Sequence, residues 1–458
     1  MHTSFNGPLR RNPANPRYFT DERGLAIYLT GSHTWANLVE TKITGSPQFD
    51  KDFPYTEWLD FMQTHHHNFM RLWCWDHTEY APWTEEKVIF DPMPFVRTGP
   101  GLANDGKPKF DLGQYNEGYF TRLRERVMQA GERGIYVSIM FFEGWNVKWA
   151  KSLPQSDPWP SHPFNAANNI NSVDGDTDGD GAADVYALAS AEVLKYQKAY
   201  IQKVIDTVND LDNVLFEIMN EVENTLRGFQ FNYHMVDFVH EYERGKPKQH
   251  PVGMTAEGGN QYNSILFASH ADWISPGRGA NDEYRFDPPE GDGRFVILND
   301  TDHLWGHGGT PQWVWKCFMR GLNPIFMDPW FPIPGRTRPG YAPDVLNSRD
   351  YPEWAPIRVA MGRACQLAQQ VDLNKLLPHS TLSSSRYCLT DLDKAYLVYL
   401  PDDIRVTLDL TLANGDFAVS WFATRTGATA PGYPVKGGGR VGLTSPLGMD
   451  VVVMLHKQ

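Results

Sequence analysis

The stretch "NVLFEIMNEVEN", residues 213–224, is an apolar run that ends on Asn220 and Glu221, with Glu217 inside it and Glu223 just beyond. A buried strand gains nothing from carboxylates at its tip. They are either solvated ends or groups placed for chemistry. Upstream, "VYALASAEVLKYQKAYIQKVIDTVNDL" sets Tyr196, Tyr200, Val204 and Val208 four residues apart on one helical face. A long amphipathic helix feeding a short apolar strand is the repeating unit of a parallel sheet covered by helices.

The same alternation runs through most of the chain. Before the opening stretch come "GLAIYLTG" (24–31), "NFMRLWCW" (68–75) and "GIYVSIMFF" (134–142). After it come "PVGMTAE" (251–257), "ADWISP" (271–276), "RFVILND" (294–300) and "NPIFMDPW" (323–330). The helix "YTEWLDFMQTH" precedes the second strand. A helix with Tyr119, Leu123 and Val127 precedes the third and exits at Gly131 and Gly134. "PQWVWKCFMRG" separates the last two strands, and "EWAPIRVAMGRACQLAQQV" follows them. Eight strand-then-helix units predict an α/β fold, a (β/α)₈ barrel over residues 1–378, with "RYFTDERG" starting a hairpin across its bottom. An open doubly wound sheet would carry a Gly-rich phosphate turn, which the chain lacks. From about residue 380 the runs "AYLVYL", "RVTLDLTL", "FAVSWFAT" and "MDVVVMLHK" alternate and are broken by Gly, Pro, Asn and Asp. They predict a small antiparallel β-sandwich over 379–458.

Composition narrows the function. The 458 residues carry a formal charge of −13, and no apolar run is long enough to span a membrane. An acidic chain without a basic face disfavours a phosphate-backbone partner, so no nucleic-acid or membrane partner is expected. The 15 Trp, 20 Tyr and 25 Phe raise carbohydrate as a ligand, because aromatic faces stack on the apolar faces of sugar rings. Cys74, Cys317, Cys365 and Cys388 have no metal-ribbon spacing and read as free buried thiols. The start "MHTSFNGPLRRNPANPRYF" has no hydrophobic signal region, which fits a cytoplasmic protein or a secreted or periplasmic one whose signal has been removed.

In such barrels the reactive groups sit at the carboxyl ends of the strands. Those ends carry His33 and Trp35; Arg71, Trp73 and Asp76; Glu143 and Trp145; Asn220 and Glu221; Glu257; Asp300, Asp302 and His303; and Asp328 and Trp330. Two carboxylates facing each other across the mouth fit glycoside hydrolysis, one protonating the leaving oxygen while the other attacks the anomeric carbon or activates water. Glu221 is the expected acid/base. Asp300 is the first choice for its partner and Asp302 the second, with Arg71 expected to lower that aspartate's pKa. His33, Asn220 and His303 are expected to contact substrate, and Trp35, Trp145, Trp305 and Trp330 to stack on it. Glu217, deeper in its strand, reads as half of a buried ion pair.

"Asn-Glu" ending the fourth of eight strands, with a carboxylate ending the seventh, resembles the clan A glycoside hydrolases. The resemblance implies that the strand-four Glu is the acid/base of a retaining hydrolysis, that Asn220 binds the sugar's 2-hydroxyl, and that Arg71 and Trp330 support the nucleophile and floor the sugar site. "YLTGSHTW", "NVLFEIMNE" and "SWFATRTG" further resemble the apiosidase-like proteins with a C-terminal domain classed as collagen-binding, across nearly the whole chain. This implies an oligosaccharide or polysaccharide of plant or microbial walls, with an unusual furanoside or pectic linkage. The clan carries Glu at strand seven, whereas this chain reads "VILNDTDHLWG". The rival expectation is therefore a non-catalytic carbohydrate-binding protein on the same barrel.

One further motif stands out. "DGDTDGDGAADVY" spaces Asp176, Asp178, Asp180 and Asp184 around Gly181, with the Ala182 carbonyl available, as in a shortened Ca²⁺ loop. A structural calcium is expected there, and no organic cofactor. "THHHN" (64–68) reads as a helix end, because adjacent histidines cannot share a helical face. His303 and His307 lie in a Gly-rich loop and do not suggest zinc.

Overall fold

Eight parallel strands pair edge to edge: β1 (Gly31–His33), β2 (Phe69–Leu72), β3 (Tyr136–Glu143), β4 (Val214–Asn220), β5 (Val252–Thr255), β6 (Trp273–Ser275), β7 (Val296–Asp300) and β8 (Asn323–Met327). Their order is β1-β8-β7-β6-β5-β4-β3-β2. The Thr30 N–H donates to Asn68 Oδ1 at 2.9 Å and the Asn68 N–H to the Thr30 carbonyl at 3.0 Å, which closes β2 onto β1. The expected (β/α)₈ barrel is the observed architecture. The computed structural model describes residues 5–47, 49–144, 147, 157–179, 184–221, 225–256, 263–331, 349 and 352–458.

Around the strands lie α1 (Tyr55–Thr64), α2 (Glu117–Glu132), α3 (Ala191–Val208), α4 (Leu226–Glu243), α5 (Pro311–Met319) and α6 (Ala355–Ala368). Ser190 caps α3 and Thr310 caps α5 by accepting backbone N–H groups of the first turn. Among the described residues, the units after β5 and β6 keep only single turns, Asn263–Leu266 and Glu283–Phe286. Among the described residues no helix is long and apolar enough to cross a membrane.

The first strand lies later than its apolar run suggests. Residues 24–31 were the expected strand, yet pairing with β8 covers Gly31–His33. Side chains replace the ladder just before it: the Leu29 N–H donates to Asn323 Oδ1 and the Thr30 hydroxyl to the Pro324 carbonyl. Gly31 is needed there, since a Cβ would fall 2.2 Å from the Phe69 carbonyl oxygen. Two insertions follow β2. Glu79–Ala81 and Thr84–Asp91 join Glu40–Lys42 in a three-stranded sheet, and Phe95–Leu102 pairs with Pro108–Tyr115.

Strand periodicity fixes the barrel's interior. Inward-facing Leu29, Phe69, Leu215, Trp273, Leu298 and Ile325 form a core that Leu9 and Phe19 of the N-terminal hairpin plug from below. From Leu377–Pro378 onward pairing is antiparallel, in one sheet of seven strands and one of two, around a separate core that includes Phe417, Trp421 and Val453. Trp315 on α5 ties this part to the barrel, its ring 6.3 Å from Tyr399 and 5.8 Å from Phe422. All four cysteines are free and buried, as expected.

Packing inside the barrel leaves no room where Gly253 of β5 faces Trp273 of β6, and a Cβ at Gly253 would lie 1.9 Å from the indole. Gly253→Ala is expected to lower the unfolding free energy by about 2–3 kcal/mol in a denaturant titration. Gly442→Ala, where a Cβ would meet nothing within 4 Å, should stay within about 0.5 kcal/mol of the parent.

Candidate active site

On four strands the inward side chain becomes polar two residues up from the apolar layer, Phe69 giving way to Arg71, Leu215 to Glu217, Trp273 to Ser275 and Leu298 to Asp300, and on β1 His33 follows Gly31 in the same way. Arg71 is the hub. Its Nε and Nη2 donate to the two oxygens of Glu217, a bidentate pair, while Nη1 donates to Asp300 Oδ2 at 2.9 Å and Nη2 to Asn220 Oδ1 at 2.6 Å. Its guanidinium carbon stands 4.7 Å from the Trp73 ring centroid, and His33 stacks on that ring at 5.6 Å, 8° from parallel. Burial alone would weaken the Arg71 charge, but Glu217 and Asp300 more than offset it, so the guanidinium pKa is raised.

Asp300 is fully buried and fully engaged. Oδ1 meets His33 Nε2 at 3.0 Å and accepts the Asp302 N–H at 2.9 Å, capping the one-turn helix Thr301–Trp305, while Oδ2 takes Arg71. Burial pushes its pKa up, but His33 and then Arg71 outweigh burial and hold the carboxyl well below the usual range. The expected effect of Arg71 is present, with His33 the larger contributor. His33 itself is driven down by burial, against Asp300, and is neutral near pH 7. Its Nε2 carries the proton, because an ionised Asp300 can only accept. Asp302 is 7% exposed and holds Oδ2 3.6 Å from Arg71 Nη1.

Asn220 links this layer to β3. Its Oδ1 accepts from Arg71, so its amide nitrogen is the group facing Glu143, 3.1 and 3.2 Å from the two carboxylate oxygens. His303 Nε2 lies 3.2 Å from the same Oδ1 and must donate, leaving Nδ1 to accept the Ser275 hydroxyl at 2.9 Å. Glu221, partly exposed, follows with φ +46°, a left-handed backbone that a non-glycine residue rarely adopts. The ends of β3 and β4 approach closely enough that a Cβ on Gly144 would sit 2.7 Å from the Glu221 carbonyl oxygen. Asp76 accepts the Glu143 N–H at 2.8 Å and the Tyr186 hydroxyl at 2.6 Å, and burial raises its pKa to about 6.

The barrel thus brings together His33, Arg71, Asn220, Asp300, Asp302 and His303, with Glu221 next in chain to Asn220. Glu217 forms the ion pair expected of it. Trp35 is 2% exposed and packs among Trp73, Trp75, Trp83 and His307. Trp305 is partly exposed, with Trp313 edge-on at 5.4 Å. Trp330, expected as a stacking floor, turns outward instead. It is 4% exposed and packs on Phe53, Trp58 and Phe61, so its ring serves the barrel's outer core. Trp145 and Glu257 lie outside the described residues, as do Asp180 and Ala182 of the acidic loop. The rest of that loop makes protein contacts: Asp176 accepts the Gly179 N–H, and Asp184 takes the Thr177 hydroxyl and faces Arg227 at 3.3 Å. Among the described residues no three His, Cys, Asp or Glu side chains converge as a metal requires. Ser275 and Tyr186 were missed, and a lone hydroxyl in an apolar stretch gives no sequence signal.

A family described as Domain of unknown function (DUF6298) matches residues 37–272, just over half of the chain. No curated protein matches. Among solved structures, the chain is similar to a glycoside hydrolase family 5 protein from Bacteroides vulgatus ATCC 8482 at 12% identity and TM-score 0.61, covering 99% of this chain and 94% of that one. It is also similar to a candidate glycoside hydrolase of the same strain at 14% identity and TM-score 0.63, covering 100% and 84%. At these identities the likeness is one of fold.

Arg71→Met would leave Glu217 and Asp300 buried without their cation and is expected to cost about 3–5 kcal/mol, read by denaturant unfolding. Acid should also act through this layer. The folded-state pKa values of His33 and Asp300 are both depressed, so the unfolded chain binds more protons as pH falls. The His33 contribution should fade below about pH 6.5 and that of Asp300 below about pH 4. Melting temperatures of the parent and His33→Gln across pH 7 to 4 should converge on acidification.

Proposed function

The chain belongs to the family described as a domain of unknown function, DUF6298, and we propose that it is a glycoside hydrolase acting on oligosaccharides or polysaccharides by a retaining two-carboxylate mechanism. The observation that carries this reading is the pair of carboxylates with unlike environments at the barrel mouth. Glu221 is partly exposed on a strained backbone at the end of β4, and Asp302 stands 3.6 Å from Arg71, two residues beyond β7. Environments that separate two carboxyl groups assign one as acid and the other as anion.

In this reading Glu221 gives its proton to the glycosidic oxygen as the bond to the anomeric carbon breaks, and Asp302 bonds to that carbon from the opposite face. Water, deprotonated by Glu221, then releases the sugar and frees Asp302. Asp300 takes a different part. Its oxygens are committed to His33, Arg71 and the Asp302 N–H, so it fixes the cation that stands beside Asp302 and sets the start of the helix that carries it. This places the attacking group two residues past the strand end, which offsets the missing methylene of an Asp where clan A glycoside hydrolases use Glu. The resemblance to apiosidase-like proteins makes pectic and furanosidic linkages the first class to test. The acidic loop from Asp176 to Asp184 is kept as a structural calcium site in the same reading, apart from the chemistry.

Reducing-sugar release from a panel of plant and microbial wall glycans tests the proposal. The parent should release sugar, and Glu221→Gln and Asp302→Asn should each lose about 10²–10⁴-fold in kcat while melting near the parent temperature. Asp300→Asn should lose activity together with stability. A kcat unaffected by Asp302→Asn would overturn that assignment, and one unaffected by Glu221→Gln would overturn the mechanism. For the calcium loop, excess EDTA should lower the melting temperature and added Ca²⁺ should restore it. A melt indifferent to both removes the ion from the account.

A further inference from the structure

Ser275 is the last residue of β6 and is buried. Its hydroxyl lies 2.9 Å from Nδ1 of His303, a fully buried imidazole on the one-turn helix after β7. The far side of that ring faces Asn220, with Nε2 3.2 Å from Oδ1. A serine on β6 is thereby joined, through a histidine after β7, to the asparagine that ends β4.

The proton positions along this path follow from Arg71. A guanidinium can only donate, so the Asn220 atom 2.6 Å from its Nη2 is the carbonyl oxygen. The same oxygen faces His303, whose Nε2 must then carry the proton, and a neutral ring accepts the Ser275 O–H at Nδ1. The Asp302 carboxylate, 4.0 Å from Nε2, favours the same proton position. Arg71 and His303 use both lone pairs of Asn220 Oδ1, and the Asn220 amide is turned to the two oxygens of Glu143. Asn220 and His303 are the residues expected to contact substrate. Their polar atoms are instead engaged by the protein, which points to a different part for both.

The group they hold is the turn that carries Glu221. Asn220 pairs with Glu143 in the ladder between β3 and β4, its carbonyl accepts the Gly144 N–H at 2.9 Å, and the backbone turns left-handed at the next residue. An asparagine fixed by Arg71, Glu143 and His303 gives that turn one starting point. We propose that Ser275 is a positioning residue for the acid/base: it orients His303 as a neutral Nε2–H donor, which with Arg71 fixes Asn220 and so aims the Glu221 carboxyl. The proposal rests on the reading of Glu221 as the acid/base of a glycoside hydrolase. Without the Ser275 hydroxyl, Nδ1 loses its donor in a buried site. The ring can recover one only by turning, and turning breaks its hold on Asn220 Oδ1.

The test uses the full chain with ¹⁵N-labelled histidine, the His303 signals being those lost in His303→Gln, beside turnover on the wall-glycan panel. The parent at about pH 7 should show His303 with a protonated Nε2 and a bare, hydrogen-bonded Nδ1. Ser275→Ala should shift the Nδ1 signal to that of an unbonded nitrogen and speed exchange of the Nε2 proton. Read well below its melting temperature, it should also lose about tenfold in kcat with KM unchanged, since the group that moves is the acid and not a sugar contact. Ser275→Thr, which keeps the hydroxyl, should restore both the spectrum and kcat. A parent His303 with its proton on Nδ1, or on both nitrogens, would overturn the relay. So would a kcat unaltered in Ser275→Ala, a loss confined to KM, or a loss that Ser275→Thr does not restore, and each of these leaves the hydrolase standing. If the parent cleaves no glycan, the hydrolase reading falls and the role of Ser275 falls with it.

Discussion

A guanidinium buried at the centre of a barrel constrains everything around it. Removing Arg71 from water costs several kcal/mol unless anions and acceptors replace its hydration. Here they arrive from different strands: Glu217 and Asn220 from β4 and Asp300 from β7. Those strands must therefore be in register at one height, with their inward positions in phase. The ion network does not add much net stability, since an apolar core of similar volume would hold the barrel as well. What it adds is a single permitted arrangement, in which each amide and imidazole has only one satisfactory orientation.

That arrangement explains how two nearby aspartates come to differ. Asp300 ends a strand and points into the barrel, where His33, Arg71 and a helix N-terminus consume its lone pairs. Asp302 stands two residues further, its Oδ2 3.6 Å from Arg71 Nη1 and 4.0 Å from His303 Nε2. Strand and helix periods meet between these two residues, and the change of direction gives the two carboxylates different surroundings.

The barrel was legible because its strands are short, apolar and separated by helices with clear four-residue spacing. The reactive rim was legible because polar residues at apolar strand ends are conspicuous. Other features had weaker signals. β1 was read too early, since "GLAIYLTG" is apolar throughout, and what delays pairing is capping by Asn323 and Asn68 from distant parts of the chain. Trp330 follows a strand like a site residue, but its direction is set by Phe53 and Trp58, which local sequence cannot reveal. The inserted strands between 79 and 115 carry mixed polarity. Of the network, the Arg71–Asp300 and Arg71–Glu217 pairs could be anticipated. The Ser275–His303 and Asp76–Tyr186 contacts could not, as one hydroxyl does not announce its partner.

The plug at the bottom of the barrel has a kinetic side. Asn12 bonds Asn374 at 2.7 Å, and the Asn15 amide donates to the carbonyls of Leu373 at 2.7 Å and Leu376 at 3.0 Å. The hairpin near residues 10–20 is thus completed by residues made some 360 positions later. Until then Leu9 and Phe19 have no finished barrel to enter, and the buried amides beside them have no acceptors. Such separation between partners makes closure a late, slow event and lengthens the time for which the strands stand with open edges. The same stitch that seals the mature barrel sets the interval in which the nascent chain depends on protection from its neighbours.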